Sequence, residues 1–205
     1  MLPANEEMAA RILNLDRRVK RLETLEDAGG GDWVLIETIE LSDSNIAIEF
    51  TDIPQIYQHL WIIYSAGTTG AGVQHIRMNF NNDVGNKYNH IGNVFSNTGA
   101  RTTDAVEADV DFHVGKASSE FPGRGNNYAA GHITIPDYMT DDKFRPIVFA
   151  NYYDALGAFE VPDGWAFVSG GGIWEDQDPV TEIDFTLENA ASFREGTVFS
   201  LYGVN

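Results

Sequence analysis

The sequence of 205 residues contains no cysteine, which excludes disulfide bridges, thiolate nucleophiles and cysteine-ligated metals. It also has no apolar run close to the roughly 20 residues that a membrane-spanning helix needs. Its first residues lack the basic segment and the apolar segment of a signal peptide. We therefore expect no membrane insertion and no export by a signal peptide.

Positive charge is scarce as well: 13 Lys and Arg residues stand against 31 Asp and Glu residues, for a net charge of −18. The imbalance lies in residues 29–205, which hold eight basic and 25 acidic side chains. Because the surface of such a domain repels phosphate groups, we expect no binding to nucleic acid.

The common catalytic motifs are missing: there is no nucleophile elbow, no zinc-protease motif, no P-loop and no dinucleotide-binding glycine motif ahead of a helix. Glycines 170–172 have no following helix to complete a phosphate site, so they indicate a bulge or turn. The histidines fall in five separate predicted segments, where a single histidine is usually a surface or hydrogen-bonded residue: His59, His75, His90, His113 and His132. We predict that the protein is not an enzyme and needs no cofactor.

Residues 1–28 have the pattern of a short amphipathic helix, with the apolar spacing of a coiled coil. The apolar residues recur at the heptad a and d positions: Met8, Ile12, Leu15, Val19 and Leu22. In a parallel coil the flanking charges pair with opposite sign between chains: Arg11 with Asp16, and Arg18 with Glu23. The narrow seam and its charged flanks predict association with other copies of the chain.

Such a helix is marginal on its own because helix nucleation is costly. The run R-V-K-R-L-E, residues 18–23, resembles the arginine-based trimerisation motif of short coiled coils. There the arginine stem covers the trimer core while its guanidinium reaches a neighbour's carboxylate. We predict a parallel homotrimer, with a dimer and a monomeric helix docked on its own domain as alternatives. Glycines 29–31 then form a hinge.

From residue 32 onward the apolar period changes to two. Ten runs rich in β-branched and aromatic residues alternate with clusters of Gly, Asn, Asp and Pro. One run, residues 105–114, is predicted as a single strand, whereas the Asn-rich residues 81–90 are predicted as a turn. We predict an all-β domain over residues 32–205, folded as a jelly-roll-like antiparallel β-sandwich.

A single strand over residues 105–114 would align three carboxylates on one face, next to His113. The three carboxylates, Glu107, Asp109 and Asp111, could bind Ca²⁺. A solvated outer face explains the same pattern, so these are weak candidates and we expect no bound metal.

Aromatic residues are numerous enough for both a core and a sugar-stacking surface. Tyr128 is the best surface candidate, because with Asn126 and Asn127 it lies in the long segment P-G-R-G-N-N-Y-A-A-G. Loops of this kind often carry recognition residues.

Several segments of the β domain resemble a β-sandwich module of tailed-bacteriophage virion proteins. They are the Trp-opened first strand, F-T-D-I-P-Q-I-Y-Q-H-L-W-I-I-Y, M-N-F-N-N-D-V-G-N-K-Y, and P-V-T-E-I-D-F-T-L with the later F-R-E-G-T-V-F-S-L-Y-G-V. These modules occur in head fibres, capsid decorations and tail-associated proteins, often as trimers. The resemblance covers residues 32–205 and carries over no catalytic residue.

The resemblance implies a homotrimeric appendage on the virion surface, either a head fibre or a capsid decoration. Its N-terminus would anchor to phage capsid or tail proteins, and the sandwich would point outward for attachment, with adhesion to a host surface as an addition. The alternatives are a glycan-binding receptor-recognition module of a tail fibre and, more distantly, a polysaccharide-degrading enzyme with carboxylates at a subunit interface.

We expect the full-length protein to sediment as a trimer. Replacing Ile12, Val19 and Leu22 by Asp places charges in the coil seam and should dissociate it. Deleting residues 1–28 should leave a domain that keeps its β-type circular dichroism. A full-length protein that is monomeric at micromolar concentration would contradict the coil, and an unfolded truncation would contradict the domain boundary.

Overall fold

The computed structural model describes residues 33–97, 99–119, 127–154 and 164–205. Within these ranges the chain forms twelve strands and one 3₁₀ turn, Glu188–Ala190. The strands are β1 (Trp33–Glu40), β2 (Ala47–Phe50), β3 (His59–Thr68), β4 (Gln74–Phe80), β5 (Tyr88–Ser96), β6 (Arg101–Asp109), β7 (Phe112–Ser119), β8 (Ala129–Pro136), β9 (Arg145–Asp154), β10 (Trp165–Trp174), β11 (Ile183–Leu187) and β12 (Val198–Val204). The all-β prediction is confirmed for this part of the chain.

The predicted coiled coil of residues 1–28 and the glycine hinge of residues 29–31 lie outside the described residues. Among the residues that are described, none belongs to a helix with the length and apolar character needed to cross a bilayer.

The strands form two antiparallel layers. The large sheet has the order β1-β12-β3-β8-β9-β10-β5-β6, and the small sheet has the order β2-β11-β4-β7. A short parallel pairing joins them, with Gly67 and Thr68 of β3 opposite Ser118 and Ser119 of β7. The arrangement is sandwich-like, as the alternating pattern predicted.

The core between the layers is aromatic. Phe185 of the small sheet packs on Phe199 of the large sheet with ring centroids 4.7 Å apart, and Tyr64 stacks on Phe199 at 5.0 Å. Phe112 of β7 meets Tyr88 of β5 edge to face at 4.9 Å. Each of these side chains is at most 2% exposed. Full burial of such a side chain stabilises the fold by about 1.5–3 kcal/mol relative to exposure.

The segment predicted as one strand, residues 105–114, is in fact divided between β6 and β7 by a two-residue bend. Ala108 has φ 54°, and the β5–β6 register shifts between Tyr88 and His90. This bulge interrupts the alternation of side chains. Glu107 is therefore exposed and leaves the predicted common face, whereas Asp109, Asp111 and His113 still bring ligand atoms within 4.8 Å of one another.

The Asn-rich turn is shorter than predicted. Asn81 and Asn82 adopt left-handed backbone angles, φ 54° and 55°, and the Asn81 side chain accepts hydrogen bonds from the backbone of Thr181 and Glu182. Strand β5 begins at Tyr88, within the predicted turn, and its residues up to Ser96 were not predicted as a strand.

Glycines 170–172 form neither a bulge nor a turn, contrary to the prediction. They lie within β10, which pairs with β5 and β9 without a register shift. A Cβ at Gly170 would collide with the carbonyl oxygen of Ile91 and lie 2.6 Å from the Phe149 ring. A Cβ at Gly172 would lie 2.6 Å from the carbonyl oxygen of Asn89. The glycines therefore provide space for the neighbouring strand and for core rings.

We expect Gly170→Ala to destabilise the fold by about 1–3 kcal/mol, because the methyl group meets backbone that cannot move aside. Gly92→Ala is the matched control, since Gly92 is the direct cross-strand partner of Gly170 and its added Cβ would meet nothing closer than 3.5 Å. Chemical denaturation measures both. Equal losses in the two variants would contradict the assigned role of Gly170.

Candidate functional site

The outer face of the large sheet is a candidate recognition surface. Its central strands, β3, β8, β9, β10 and β5, align side chains in three rows across the sheet. The first row is Trp61, Thr134, Val148, Gly171 and Ile91, the second is Ile63, His132, Ala150, Ser169 and Asn93, and the third is Ser65, Ala130, Tyr152, Phe167 and Phe95. We call these rows, with Trp33 and Leu35 of β1, which lies beyond β12 on the same side of the sheet, the aromatic face.

No Asp, Glu, Lys or Arg occurs in the three rows. Trp33, Leu35, Ile63, Val148 and Tyr152 are each between 44% and 58% exposed. Soluble monomers rarely expose a continuous apolar patch of more than a few hundred Å², and larger patches usually mark an interaction site. In a chain with a net charge of −18, the aromatic face is unusual because it lacks charged residues and exposes several large apolar side chains.

Aromatic rings are stacked at one side of this face. Trp33 lies 4.7 Å from Trp61, and Trp61 stacks on His132 at 5.0 Å with an angle of 16° between the rings. Tyr202 extends the row, 6.1 Å from Trp33. A shallow depression of about 420 Å³ lies between these rings and Tyr152. Such a surface can stack on a flat ligand or pack against another protein.

The structure separates the aromatic residues that the sequence could only count together. A buried group forms part of the core: Tyr57, Tyr88, Tyr138, Tyr153 and Trp174. Tyr152 and Trp165 are instead 46% and 51% exposed, with their rings 6.2 Å apart.

Tyr128, the predicted recognition residue, is half-buried. Its ring packs under the Arg194 guanidinium at 4.4 Å, and its hydroxyl donates a hydrogen bond to the carbonyl oxygen of Glu195. Asn127 donates to Asp154 at 3.1 Å, and its carbonyl oxygen accepts from Arg194. Asn126 lies outside the described residues. The recognition role of this segment stays a prediction.

A second site is polar and lies where β6 meets the small sheet. Asp104 Oδ2 of β6 lies 3.2 Å from His113 Nδ1 of β7 and 3.6 Å from His75 Nδ1 of β4. His90 of β5 packs beside His113, with ring centroids 4.7 Å apart. We call these four residues the histidine–aspartate cluster. A cleft of about 310 Å³ borders His75, Asp104 and His113.

Two of the predicted metal candidates lie next to this cluster. His113 Nε2 is 3.9 Å from Asp109 Oδ2 and 3.7 Å from Asp111 Oδ1. Asp111 also pairs with Arg77 at 3.4 Å. The exposed Glu107 is not part of either group of possible metal ligands that includes His113.

Burial sets the protonation of the cluster. It lowers the pKa of His75 to about 3, assisted by the Lys116 charge, and that of His90 to about 4, assisted by His113. Burial alone would lower the pKa of His113, but the hydrogen bond to Asp104 and the Asp104 charge outweigh it and raise the value. The hydrogen bond from His113 lowers the pKa of Asp104 to about 2.

The sequence analysis missed this cluster. His75 and His113 face the same side of the small sheet only because β4 and β7 pair, with His75 opposite Lys116 and Arg77 opposite His113. Asp104 comes from a different sheet. The alternation along β4 could have shown that His75 lies on the other face of the strand from the buried Ile76 and Met78. No local signal, however, identifies the residues of other strands that His75 contacts.

Comparison with known protein families, with characterised proteins and with solved structures finds no match. The resemblance to phage virion modules therefore stays a sequence-based prediction.

One buried carboxylate lies apart from both sites. Asp184 of β11 is 7% exposed and is the cross-strand partner of Glu49. Burial, followed by the charges of Glu182 and Glu49, raises the pKa of Asp184 to about 6. The folded protein therefore binds more protons here than the unfolded chain between about pH 4 and pH 6.

Stability should fall as the pH rises through this range, because Asp184 must ionise in a buried, acidic environment. We expect Asp184→Asn to stabilise the protein at pH 8, by up to about 3 kcal/mol, and to have no effect below about pH 3.5. Asp43→Asn, at an exposed position, is the charge-matched control. Thermal melts at several pH values test this, and a gain that is the same at every pH would contradict it.

Proposed function

We propose that this protein is a structural attachment protein that works as a homotrimer, with the aromatic face packed against neighbouring subunits. The aromatic face carries the proposal because its three rows contain no charged side chain, although the chain has a net charge of −18. Acidic subunits repel one another, so they associate most readily through a face that lacks charge.

Strand β3, which carries part of this face, has the pattern of a strand covered on both sides. Residues 60–64 of β3 read L-W-I-I-Y, with Leu60, Ile62 and Tyr64 buried in the core and Trp61 and Ile63 facing outward. A continuous apolar run is typical of a strand buried on both faces. A neighbouring subunit would provide the second cover.

The position of the face relative to the chain also supports a second copy as the partner. Trp33, which packs on Trp61, lies two residues after the end of the predicted coil and hinge, residues 1–31. A parallel coil would bring three copies of β1 close together. The aromatic face would then be at high effective concentration relative to the neighbouring domains.

The biological setting is the part of this proposal that rests on the sequence resemblance. We place the protein on the surface of a tailed-phage virion, as a head fibre or capsid decoration with a jelly-roll-like domain, anchored to capsid or tail proteins by residues 1–28. No enzymatic role is included. Labelling the protein in intact virions tests this location, and a particle surface without label would contradict it.

A second candidate function is glycan binding by the same face, as in a receptor-recognition module of a tail fibre. The half-exposed ring of Tyr152, the neighbouring half-exposed Trp165 at the border of the face, and the stack of Trp61 on His132 favour it, since aromatic rings can stack on sugars. In that case the wild-type protein would bind saccharides on a glycan array, and Trp61→Ala would lose the signal.

We expect a charge on the aromatic face to weaken association. In a protein whose coil is disrupted by Asp at positions 12, 19 and 22, sedimentation at rising concentration should show residual association, which Ile63→Asp removes. Ile46→Asp is the matched control, because Ile46 is 56% exposed, against 44% for Ile63, and lies outside the face.

Circular dichroism of both variants checks that they remain folded. Two results together would contradict this expectation. The coil-disrupted protein would be monomeric at every concentration, and the tryptophans of the intact protein would remain accessible to a soluble fluorescence quencher. These results would contradict the subunit contact and leave glycan binding as the use of the face.

A further inference from the structure

Two distances within the histidine–aspartate cluster are close to those between the ligands of a tetrahedral metal ion. Zn²⁺ binds imidazole nitrogen at about 2.0–2.1 Å and carboxylate oxygen at about 2.0–2.2 Å. Two ligands of a tetrahedral ion are then about 3.3–3.5 Å apart. Asp104 Oδ2 lies 3.2 Å from His113 Nδ1 and 3.6 Å from His75 Nδ1, so one distance is slightly shorter and the other slightly longer than this range. One ligand atom from each residue lies within 4.8 Å of the others.

A hydrogen bond explains only part of this geometry. His113 Nδ1 lies within hydrogen-bonding distance of Asp104 Oδ2. His75 Nδ1 approaches the same oxygen from another strand, at a distance beyond an ordinary hydrogen bond. Two nitrogens that converge on one carboxylate oxygen are also the arrangement in which all three atoms can share one cation.

His90 provides an independent observation. Its side chain is buried, with 5% exposure, and neither ring nitrogen has a hydrogen-bond partner among the described residues. Its ring lies against His113, 4.7 Å between centroids. A buried polar group without a partner carries a cost, and such groups often indicate an ion or water bound nearby.

The surrounding charges favour a cation. Asp104, Asp109, Asp111 and Glu188 lie in or beside the cluster and its cleft, against the two basic residues Arg77 and Lys116. The second group of possible ligands, Asp109, Asp111 and His113, is less suitable. The carboxylate oxygens of Asp111 and Asp109 lie 3.7 and 3.9 Å from His113 Nε2, and this group includes only one nitrogen ligand. Asp111 also already pairs with Arg77.

We propose that His75, His113 and Asp104 bind a divalent transition-metal ion, with Zn²⁺ as the ion that fits the donors best. Two imidazole nitrogens and one carboxylate oxygen are a set that Zn²⁺ accepts, and the hard cations Ca²⁺ and Mg²⁺ prefer oxygen alone. A water molecule would fill the fourth position, and the cleft of about 310 Å³ beside these three residues has room for one. This inference goes beyond the proposed function and does not depend on the aromatic face.

Such an ion would join three strands from two sheets. His75 belongs to β4 and His113 to β7 in the small sheet, whereas Asp104 belongs to β6 at the edge of the large sheet. An edge strand is held by one neighbour only, here β5. The metal would fix this edge to the small sheet and stabilise the folded state by mass action.

The test uses the full-length protein without an affinity tag, freed of metal by a chelator. We expect calorimetry to show saturable binding of one Zn²⁺ per chain at micromolar concentration and a higher melting temperature with Zn²⁺. Co²⁺ should give the intense visible absorption of a tetrahedral site. His75→Gln and Asp104→Asn should each weaken binding at least about tenfold.

His59→Gln is the matched control, because His59 Nδ1 lies 4.0 Å from Asp137, a histidine–aspartate pair without a second histidine. It should leave Zn²⁺ affinity unchanged. Because a cluster variant could lose its fold, anomalous diffraction from wild-type crystals grown with Zn²⁺ provides a measurement that needs no substitution. The peak should lie about 2.0–2.2 Å from all three ligand atoms.

Three results would each overturn the proposal. They are wild-type protein without saturable Zn²⁺ binding, binding that persists in the folded His75→Gln and Asp104→Asn variants, and an anomalous peak located elsewhere. None of these results would bear on the subunit contact, so failure of the metal site and failure of the proposed function are distinguishable.

Discussion

Strand β7 is hydrogen-bonded to both layers, antiparallel to β4 in the small sheet and parallel to β3 over two residues. All of its residues except His113 are buried. Phe112 packs on Tyr88 of β5, and Lys116 lies over the Tyr153 ring of β9 at 5.6 Å. The layers can close around this strand only if the neighbouring strands leave space for its side chains. At Gly172 of β10, for example, a Cβ would lie 2.8 Å from the Phe112 ring, so a side chain is excluded there.

Strand β5 connects the two candidate sites through the alternation of its side chains. Ile91, Asn93 and Phe95 face outward and form part of the aromatic face. His90 faces inward, where it meets His113, and Gly92 borders the cleft. One strand can contribute to two surfaces in this way because successive side chains point to opposite sides of a sheet. The neutral outer face suits contact with another subunit, whereas the polar inner site suits an ion.

Much of the fold could be predicted, and the errors have identifiable physical causes. Strands with regular alternation, such as β4 and β9, were found because one face of each must be buried. Strand β5 was missed because the polar side chains of Asn89 and Asn93 resemble a turn, while the strand depends on pairing with β6 and β10. The break after Asp109 was missed because a bulge at Ala108 leaves the residue pattern unchanged.

By itself, the sequence determined the all-β class, the change of period at residue 32 and the acidic composition, because composition and periodicity are local properties. Only the tertiary structure decided which aromatic residues are exposed together and which histidines meet. Trp33 and Trp61, or His75, Asp104 and His113, come into contact through strand pairings between distant segments. Pairing register is set by the packing of the whole core, and no short stretch of sequence specifies it.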